Sequence, residues 1–327
     1  LNNEVYPYNI KDVRWALTLA IDIVDYIGIA FDGAAPMGVL HLPPTPYYLK
    51  VYYEPMEEWL KNFTLDIEVN GQPFKPYDPS ATLRAAQYAR ERGYTVPNDI
   101  NELKEMFGPG WWKYAPDVAE QLLIRNGFKR DKNGKWLLPD GTPWKITIIN
   151  HPSPSHPSNR NGLAAAQQWR NFGIDVNVVT SESIQDITFF GNYEVSTNWP
   201  APEPWGGHPD LDRVLSPFHS RVYKPIGEYA VQNGPTSRWT NPKLDKIVEN
   251  MEKIDWNDPR NLELGMEGLK LLIEEMPTIP TFGYPGVVGW DEYYWTNYPG
   301  AENPYTQPYH HWPNLKYMLP YLEPTGR

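Results

Sequence analysis

The sequence predicts an α/β fold built around a mixed, largely parallel sheet that is flanked by helices. The middle of the chain alternates between strand-like and helix-like patterns: a strand at 144–150, a helix at 158–173, a strand at 174–180, a short helix at 183–191 and a strand at 192–199. The order strand–helix–strand–helix–strand is typical of parallel strands joined by right-handed crossovers. This alternation is the main basis for the predicted fold class.

The carboxyl ends of these strands mark the edge where a ligand is expected. Two of the ends carry polar and aromatic side chains, Asn150-His151 and Asn198-Trp199. Open α/β sheets bind ligands in the crevice outside the carboxyl ends of their strands. We therefore expect these four residues to lie near a binding site.

An amphipathic helix is predicted over 9–27, ahead of the sheet. Its apolar residues recur at helical spacing, and they are Val13, Ala16, Leu17, Ala20, Val24 and Ile27. Asn9 is expected to cap this helix, with Asp12 in its first turn. The next segment, APMGVLHLPPTPYY, is predicted to be an extended loop because prolines are excluded from helix interiors.

Two further helices and a hairpin are predicted before the first sheet strand. The helices cover 80–92 and 116–126, and the second ends at Gly127, a residue suited to the left-handed position after a helix. The turn sequences Asn133-Gly134 and Asp140-Gly141 then flank a short strand. Such dipeptides between apolar runs are typical of hairpins.

Two helices with strong start signals follow the sheet. Asn241-Pro242 and Asp258-Pro259 each combine a capping side chain with a proline in the first helical position. The second helix places one apolar stripe on a face, formed by Leu262, Met266, Leu269, Ile273 and Met276. Residues 278–290 are strand-like. The tail 295–327 lacks periodicity and is expected to be irregular, so it needs another domain or chain to pack against.

The acidic composition excludes two classes of partner. The 327-residue chain has a net charge of −11, and an acidic surface repels both nucleic-acid phosphates and anionic lipid. We therefore expect no nucleic-acid partner and no direct membrane binding. The absence of cysteine excludes thiol catalysis, disulfides and cysteine-ligated metals.

Aromatic residues and prolines are abundant. The chain has 14 Trp and 22 Tyr, and its 35 prolines are about twice the usual share of roughly 5%. An excess of Tyr and Trp indicates either a larger aromatic core or a surface that binds sugars, peptides or proteins. Many prolines without cysteine are typical of a thermostable protein.

The stretch EVSTNWPAPEPWGGHPD, residues 194–210, presents two tryptophans on a loop stiffened by prolines. Trp199 and Trp205 lie among Pro and Gly, so we predict that they contact a ligand; the alternative is that the loop folds back into the core. Five other tryptophans lie in patterned segments and are expected to pack in or around the core, namely Trp15, Trp59, Trp136, Trp144 and Trp169.

No motif for catalysis, a metal or a cofactor is present. The sequence lacks a glycine-rich phosphate loop, a nucleophile elbow and a zinc-binding H-E-x-x-H helix. His151 and His156 form one pair and His310-His311 another, and neither has a third ligand at a metal-site spacing. We therefore expect no cofactor and no catalytic residue.

Five stretches, read in order, resemble one family. They are DVRWALTLAIDIVDYI, YAPDVAEQLLIRNGFKRDKNGKWLLPDGTPWKITI, QQWRNFGIDVNVV, NYEVSTNW and NPKLDKIVENMEKIDWNDPRNLELGMEGLKLLIEEMPTIPTF. The set is similar to the extracellular solute-binding proteins of ABC importers in the oligopeptide-binding class, over roughly residues 9–290. The resemblance implies a periplasmic-binding-protein-like receptor with two lobes that close on a hinge and deliver ligand to a membrane permease.

The resemblance also implies a division of the chain. Residues 1–8 lead in from the first lobe, 9–294 form the second ligand-binding lobe, and 295–327 return to the first lobe. The amino-terminal portion of the first lobe is absent, so the sequence looks like a carboxyl-terminal fragment. The expected location is periplasmic or extracellular, with membrane association through the transporter.

One departure from the family concerns the ligand. Peptide-binding members follow the tryptophan at position 199 with an aspartate that pairs with the peptide amine, whereas Pro202 stands there in this sequence and Glu203 is adjacent. The resemblance therefore favours the oligosaccharide-binding members of thermophiles, which take cello-oligosaccharides or β-glucans. An oligopeptide receptor of the same family is the alternative, and a carbohydrate-active enzyme is the alternative from another class.

Six residues are predicted to bind the ligand. They are Trp199, Trp205, Asn198, Glu203, Asn150 and His151. The two indole rings offer a stacking face for a sugar ring, while the amide, carboxylate and imidazole groups offer hydrogen bonds to its hydroxyls.

Overall fold

The structure is a computed structural model that describes residues 1–197, 211–230, 236–255, 257–284, 288–300, 303, 305–306 and 315–327. The helices are α1 (Lys11–Leu19), α2 (Ile23–Phe31), α3 (Pro46–Tyr48), α4 (Glu54–Asn62), α5 (Ala81–Glu91), α6 (Ile100–Phe107), α7 (Pro116–Arg125), α8 (Pro157–Asn171), α9 (Ile184–Phe189), α10 (Asp212–Leu215), α11 (Pro242–Met251), α12 (Arg260–Glu275) and α13 (Leu315–Met318). The strands are β1 (Glu68–Val69), β2 (Gln72–Pro73), β3 (Tyr77–Asp78), β4 (Trp111–Trp112), β5 (Lys129–Arg130), β6 (Trp136–Leu137), β7 (Lys145–Asn150), β8 (Asp175–Thr180), β9 (Val195–Ser196), β10 (Trp295–Thr296) and β11 (Glu323–Pro324).

A three-stranded parallel sheet lies at the centre, in the order β8-β7-β9. Lys145 of β7 is in register with Asp175 of β8, and Ile148 of β7 with Val195 of β9. The alternating pattern of β7 turns Ile146 and Ile148 inwards, where both are fully buried. The predicted α/β class and the parallel crossovers are confirmed. Short antiparallel strand pairs occur elsewhere in the described residues, so the fold contains both parallel and antiparallel strands.

The prediction of a single helix over 9–27 is wrong, because the structure has two helices in this region. α1 ends at Leu19 and α2 begins at Ile23, and the Asp22 side chain caps α2 by accepting from Val24 N–H at 3.0 Å. Gln168 Oε1 of α8 accepts the Asp22 N–H at 3.1 Å, which fixes the break. The residue that precedes α1 is Ile10 rather than the predicted cap Asn9.

The proline-rich segment is extended only in its first part. Pro46 starts a short helix that is capped by the Thr45 hydroxyl, so the predicted loop is too long at this end. A π-helical turn, Leu49–Tyr53, joins this helix to α4. Neither α4 nor α6 was predicted from the sequence pattern.

The helices around the hairpin agree with prediction. α7 ends next to Gly127, whose φ of +88° is the left-handed conformation that favours glycine. The pair β5–β6 forms the predicted hairpin. Its Asp131 carboxylate accepts the backbone N–H groups of Asn133 and Lys135, both at 2.8 Å, and so closes the turn.

The two carboxyl-terminal helices also form. Asn241 Oδ1 accepts from Lys243 N–H at 2.9 Å, as expected of a cap. α12 begins at Arg260, one residue later than predicted, and Asp258 still accepts the Arg260 N–H at 2.9 Å. The strand predicted at 278–290 is reduced, in the part that is described, to one bridge between Phe282 and Met37. Residues 285–287 lie outside the described residues.

Aromatic residues form much of the core. Trp15 and Trp112 are fully buried and meet edge to face with ring centroids 5.0 Å apart. The predicted packing roles of five tryptophans are confirmed: Trp15, Trp136, Trp144 and Trp169 are buried, and Trp59 is half-buried against Phe63. Full burial of one such side chain contributes about 1.5–3 kcal/mol or more.

The tail contains a small two-stranded antiparallel sheet. β10 pairs antiparallel with β11, and Asn297 donates to the Tyr321 carbonyl oxygen at 2.6 Å. Tyr294 and Trp295 are exposed, with 63% and 48% of their surface accessible. No helix among the described residues is long and apolar enough to cross a membrane.

Candidate functional site

A cavity of about 350 Å³ lies at the carboxyl edge of the parallel sheet. Its walls come from Tyr26 of α2, the loop 38–43, the first turns of α8, the end of β9 and the extended segment 278–284. Thr197 lines it and directly precedes the proline-rich loop that carries the two candidate tryptophans. This is the position at which open α/β sheets bind ligands.

The cavity is lined by neutral side chains. Many of the lining residues carry a hydroxyl group, among them Tyr26, Ser158, Ser196, Thr197, Thr278 and Thr281. Apolar residues such as Trp169 and Phe282 form most of the remainder. None of the described residues that line the cavity is Asp, Glu, Lys or Arg. A site of this kind offers hydrogen bonds and apolar contact without a charge.

His41, the titratable imidazole of this wall, is held neutral. The residue is half-buried, and desolvation of its ring lowers the pKa of His41 to about 4, despite an opposing hydrogen bond to Thr278. The ring Nε2 lies 2.6 Å from Thr278 Oγ1. At neutral pH the imidazole is therefore uncharged, and the cavity keeps its neutral character.

Asn150 lies at the end of β7 with its side chain turned into the protein. It is fully buried; its amide donates to the Asn159 carbonyl oxygen at 2.8 Å, and its Oδ1 accepts the His151 N–H at 2.9 Å. These bonds fix the start of α8 relative to the sheet. A direct contact between Asn150 and a ligand would have to exchange one of them, and its predicted binding role stays a prediction.

His151 stacks on His156 at the entrance to α8. Their ring centroids are 3.9 Å apart with planes 15° from parallel. His151 Nδ1 accepts the Ser153 N–H, and His156 Nδ1 caps α8 by accepting the Ser158 N–H at 3.2 Å. Burial, together with the neighbouring His151, lowers the pKa of His156. Ligand binding by His151 likewise stays a prediction.

Thr197 connects these groups to the tryptophan loop. Its hydroxyl lies 2.9 Å from the Ser158 carbonyl oxygen and 3.2 Å from Asn150 Oδ1. The other four predicted site residues, Asn198, Trp199, Glu203 and Trp205, lie outside the described residues. The alternative that Trp199 and Trp205 belong to the core is untested for the same reason.

Sequence reasoning missed residues of the cavity wall, among them Tyr26, His41 and Asn161. They come from separate segments, and each pairs with a distant partner. Tyr26 OH contacts Asn161, 135 positions away, while His41 contacts Thr278, 237 positions away. No local pattern reports such pairs. One weak signal exists, namely the hydroxyl group of Tyr26 on the buried apolar face of α2 that also carries Ile23 and Ala30.

No set of three or more His, Asp or Glu side chains in the described part of the chain is arranged to hold a metal ion. The stacked pair His151–His156 therefore has no carboxylate or imidazole beside it, among those residues, to complete such a site. Hydrogen bonding and apolar contact are the chemistry that the described wall offers.

A neutral cavity at the carboxyl edge of a parallel sheet is the arrangement in which α/β proteins bind small molecules. The chain belongs to the bacterial extracellular solute-binding proteins, family 5, which it matches over residues 1–221. No curated protein sequence matches the chain.

Solved structures share the fold. The chain is similar to the periplasmic oligopeptide-binding protein of an oligopeptide ABC transporter from Thermotoga maritima, in a crystal structure with mannohexaose bound: TM-score 0.64, 19% identity, 100% of this chain and 52% of that one. A second structure of that protein gives a TM-score of 0.66 at 19% identity, over 99% of this chain and 52% of that one. The structure of Haemophilus influenzae OppA in complex with RPPGFSPFR gives a TM-score of 0.52 at 18% identity, over 87% of this chain and 41% of that one. The chain thus spans about half the length of the first of these structures.

Proposed function

We propose that this chain is part of the substrate-binding component of an ABC importer and that it captures neutral oligosaccharides of the cello-oligosaccharide or β-glucan type. The observation that carries the proposal is the neutral cavity, rich in hydroxyl groups, that adjoins the tryptophan loop at Thr197. A sugar unit carries no charge and many hydroxyls, so it matches a wall of hydroxyls and apolar surface. Ligand sites of about 300–1,000 Å³ with a few polar groups are typical of proteins.

The tryptophan loop supplies the second half of the proposed recognition. The flat C–H face of a β-linked glucose unit packs against an indole, which we assign to Trp199 and Trp205. Asn198 and Glu203 of the same loop would accept or donate hydrogen bonds to the equatorial hydroxyls.

The positions of Asn150 and His151 are consistent with a supporting role at the edge. Thr197, which directly precedes the loop, contacts Asn150 at the end of β7 and the Ser158 carbonyl oxygen at the start of α8. We propose that these two residues hold the loop and the start of α8 in register for binding.

Peptide binding is the second candidate. Haemophilus influenzae OppA, which shares the fold, was solved with a peptide, and Glu203 could hold a peptide amine. The Thermotoga maritima protein was solved with mannohexaose, so the same fold takes a neutral sugar chain. The absence of Asp, Glu, Lys and Arg from the described cavity wall favours the sugar.

The remaining parts of the proposal concern the cellular setting. We propose a receptor rather than an enzyme, acting in the periplasm or outside the cell, that presents its ligand to a membrane permease. A first lobe would close over the cavity, with residues 1–8 leading in from it and 295–327 returning to it. The exposed aromatic rings of the tail, such as Tyr294 and Trp295 beside the strand pair β10–β11, suit contact with such a covering lobe.

Calorimetry tests the proposal directly. The full chain is titrated with cellotetraose, with mannohexaose and with tetra-alanine. We expect heat from a sugar and none from the peptide. Tight peptide binding with no heat from either sugar would overturn the sugar assignment and leave the receptor class. Chromatography of cellotetraose after long incubation addresses the enzyme alternative, since a receptor returns the sugar intact.

A further inference from the structure

One polar contact fixes an amide group in the cavity wall. Tyr26 of α2 and Asn161 of α8 both line the cavity. The Tyr26 hydroxyl donates to Asn161, with Oδ1 in hydrogen-bond contact and the Asn161 carbonyl oxygen 3.1 Å away. Tyr26 is itself buried, with 2% of its surface exposed. The side-chain amide of Asn161 therefore cannot turn freely.

The contact determines which end of the amide faces the cavity. Burial raises the pKa of the Tyr26 phenol, with Thr281 opposing this only in part, so Tyr26 remains a protonated hydrogen-bond donor. The structure places the carbonyl end of the amide, Oδ1, against the Tyr26 hydroxyl, where it acts as an acceptor. The Nδ2 group then points away from Tyr26. Asn161 is half-buried, and no group in the described part of the chain accepts a hydrogen bond from its Nδ2.

We propose that Asn161 donates a hydrogen bond to the ligand and determines its chemistry, and that Tyr26 is the residue that positions it. This inference rests on the proposed function, because it concerns the same cavity. An N–H group there requires an acceptor, such as a sugar hydroxyl or ring oxygen. An ammonium group at this position would face the Nδ2 group with a second hydrogen-bond donor, and the two donors could not pair. The wall is therefore selective for neutral ligands rich in oxygen acceptors.

Two substitutions separate donation from positioning. Asn161→Asp keeps the shape and the acceptor for Tyr26 but removes the donor, so the affinity for cellotetraose should fall about 10- to 100-fold, as for an unpaired polar group. Tyr26→Phe frees the amide to rotate and should weaken binding less, by about 3- to 10-fold. The double variant should bind no more weakly than Asn161→Asp alone, because Tyr26 acts through Asn161.

Asn171→Asp is the matched control. Asn171 lies on the exposed face of the same helix, where it accepts from Gln167 at 2.9 Å. This variant introduces the same charge and should bind cellotetraose like the parent chain. A purely structural Tyr26 would instead lower the melting temperature and give additive losses in the double variant.

The outcomes distinguish this inference from the proposed function. If the parent chain binds neither cellotetraose nor mannohexaose, the proposed function fails and this inference fails with it. If the parent binds and folded Asn161→Asp binds equally well, only the inference is overturned. Should Asn161→Asp fail to fold, Asn161→Ala with circular dichroism as a folding check takes its place, and undiminished affinity there is equally decisive.

Discussion

Gly162 lies directly beneath the side chain of Asn150. A Cβ atom at position 162 would sit 2.8 Å from both Cγ and Nδ2 of Asn150, closer than real Cβ contacts occur. The glycine on α8 thus leaves the space in which the buried amide at the end of β7 makes its hydrogen bonds. The absence of a side chain at position 162 allows α8 to lie this close to the end of β7 at the edge of the candidate site.

Gly162→Ala should therefore destabilise the protein. Alanine gains about 1 kcal/mol over glycine in a helix interior, but forcing a methyl group into a filled space costs about 1–3 kcal/mol. Displacement of the Asn150 amide also breaks its bond to Asn159. We expect a net loss of about 1–2 kcal/mol in the free energy of unfolding, measured in urea.

Asn150→Ala is the matched background for this experiment. It empties the space that the new methyl group needs, so adding Gly162→Ala to it should be neutral or stabilising. Equal losses in both backgrounds would show that the two side chains do not compete.

Trp199→Ala should weaken sugar binding by about 1–3 kcal/mol, a loss typical of stacking on an aromatic ring, by analogy with base–aromatic contacts. Stability should change little, because a ring outside the core leaves no cavity. Trp295→Ala, at an exposed position in strand β10 of the tail, serves as the control. Unchanged affinity with a steep drop in the melting temperature would assign Trp199 to the core.

Sugar binding should respond weakly to salt and pH. A neutral ligand has no charge to screen, and unperturbed carboxylates remain ionised between about pH 5 and 8. The affinity for cellotetraose should be flat over this range at low and high salt, whereas a peptide held by a carboxylate should bind more weakly at high salt. A bend in the affinity near pH 6.5, the reference pKa of histidine, would indicate that an imidazole contacts the ligand.

His41 should make the fold sensitive to acid. Its pKa in the folded protein, about 4, lies below the unfolded value of about 6.5, so the unfolded state binds the proton first as pH falls. The free energy of unfolding therefore decreases as the pH falls from about 6.5 to about 4. The decrease due to His41 approaches about 3 kcal/mol.

The comparison of parent and His41→Gln isolates this effect. Urea unfolding at pH 7 and pH 4.5 gives a pH slope for each, and the carboxylates common to both cancel in the difference. The variant should show the shallower slope. Identical slopes would mean that His41 is protonated without penalty in the folded protein.

The tail should exchange its amide hydrogens faster than the rest of the chain. Hydrogen bonds around the strand pair β10–β11 join the tail to itself, as between Asn297 and Tyr321. Local unfolding of such a segment costs little. Hydrogen exchange should show low protection over 295–327 and high protection in α8 and α12. Uniform protection in the isolated chain would contradict this.

Local chemistry was sufficient to predict several elements. The capping side chain and proline of Asn241-Pro242, the left-handed Gly127 and the alternation of β7, α8 and β8 all act over a few residues. Their energies depend on the immediate backbone, which is why the sequence alone predicted the parallel sheet and its flanking helices. The same local reading failed at Asp22, where Gln168 of a distant helix fixes the break between α1 and α2.

The tertiary structure alone decided the composition of the candidate site. Asn150 continues the buried face of Ile146 and Ile148, and only the packing of Gly162 against it leaves room for a buried amide there. Tyr26 and Asn161, and likewise His41 and Thr278, meet only because the chain folds back on itself across many intervening residues. Local periodicity determines which face of an element is buried. Which distant faces meet, and so which polar groups converge on a cavity, depends on how the helices pack against the sheet.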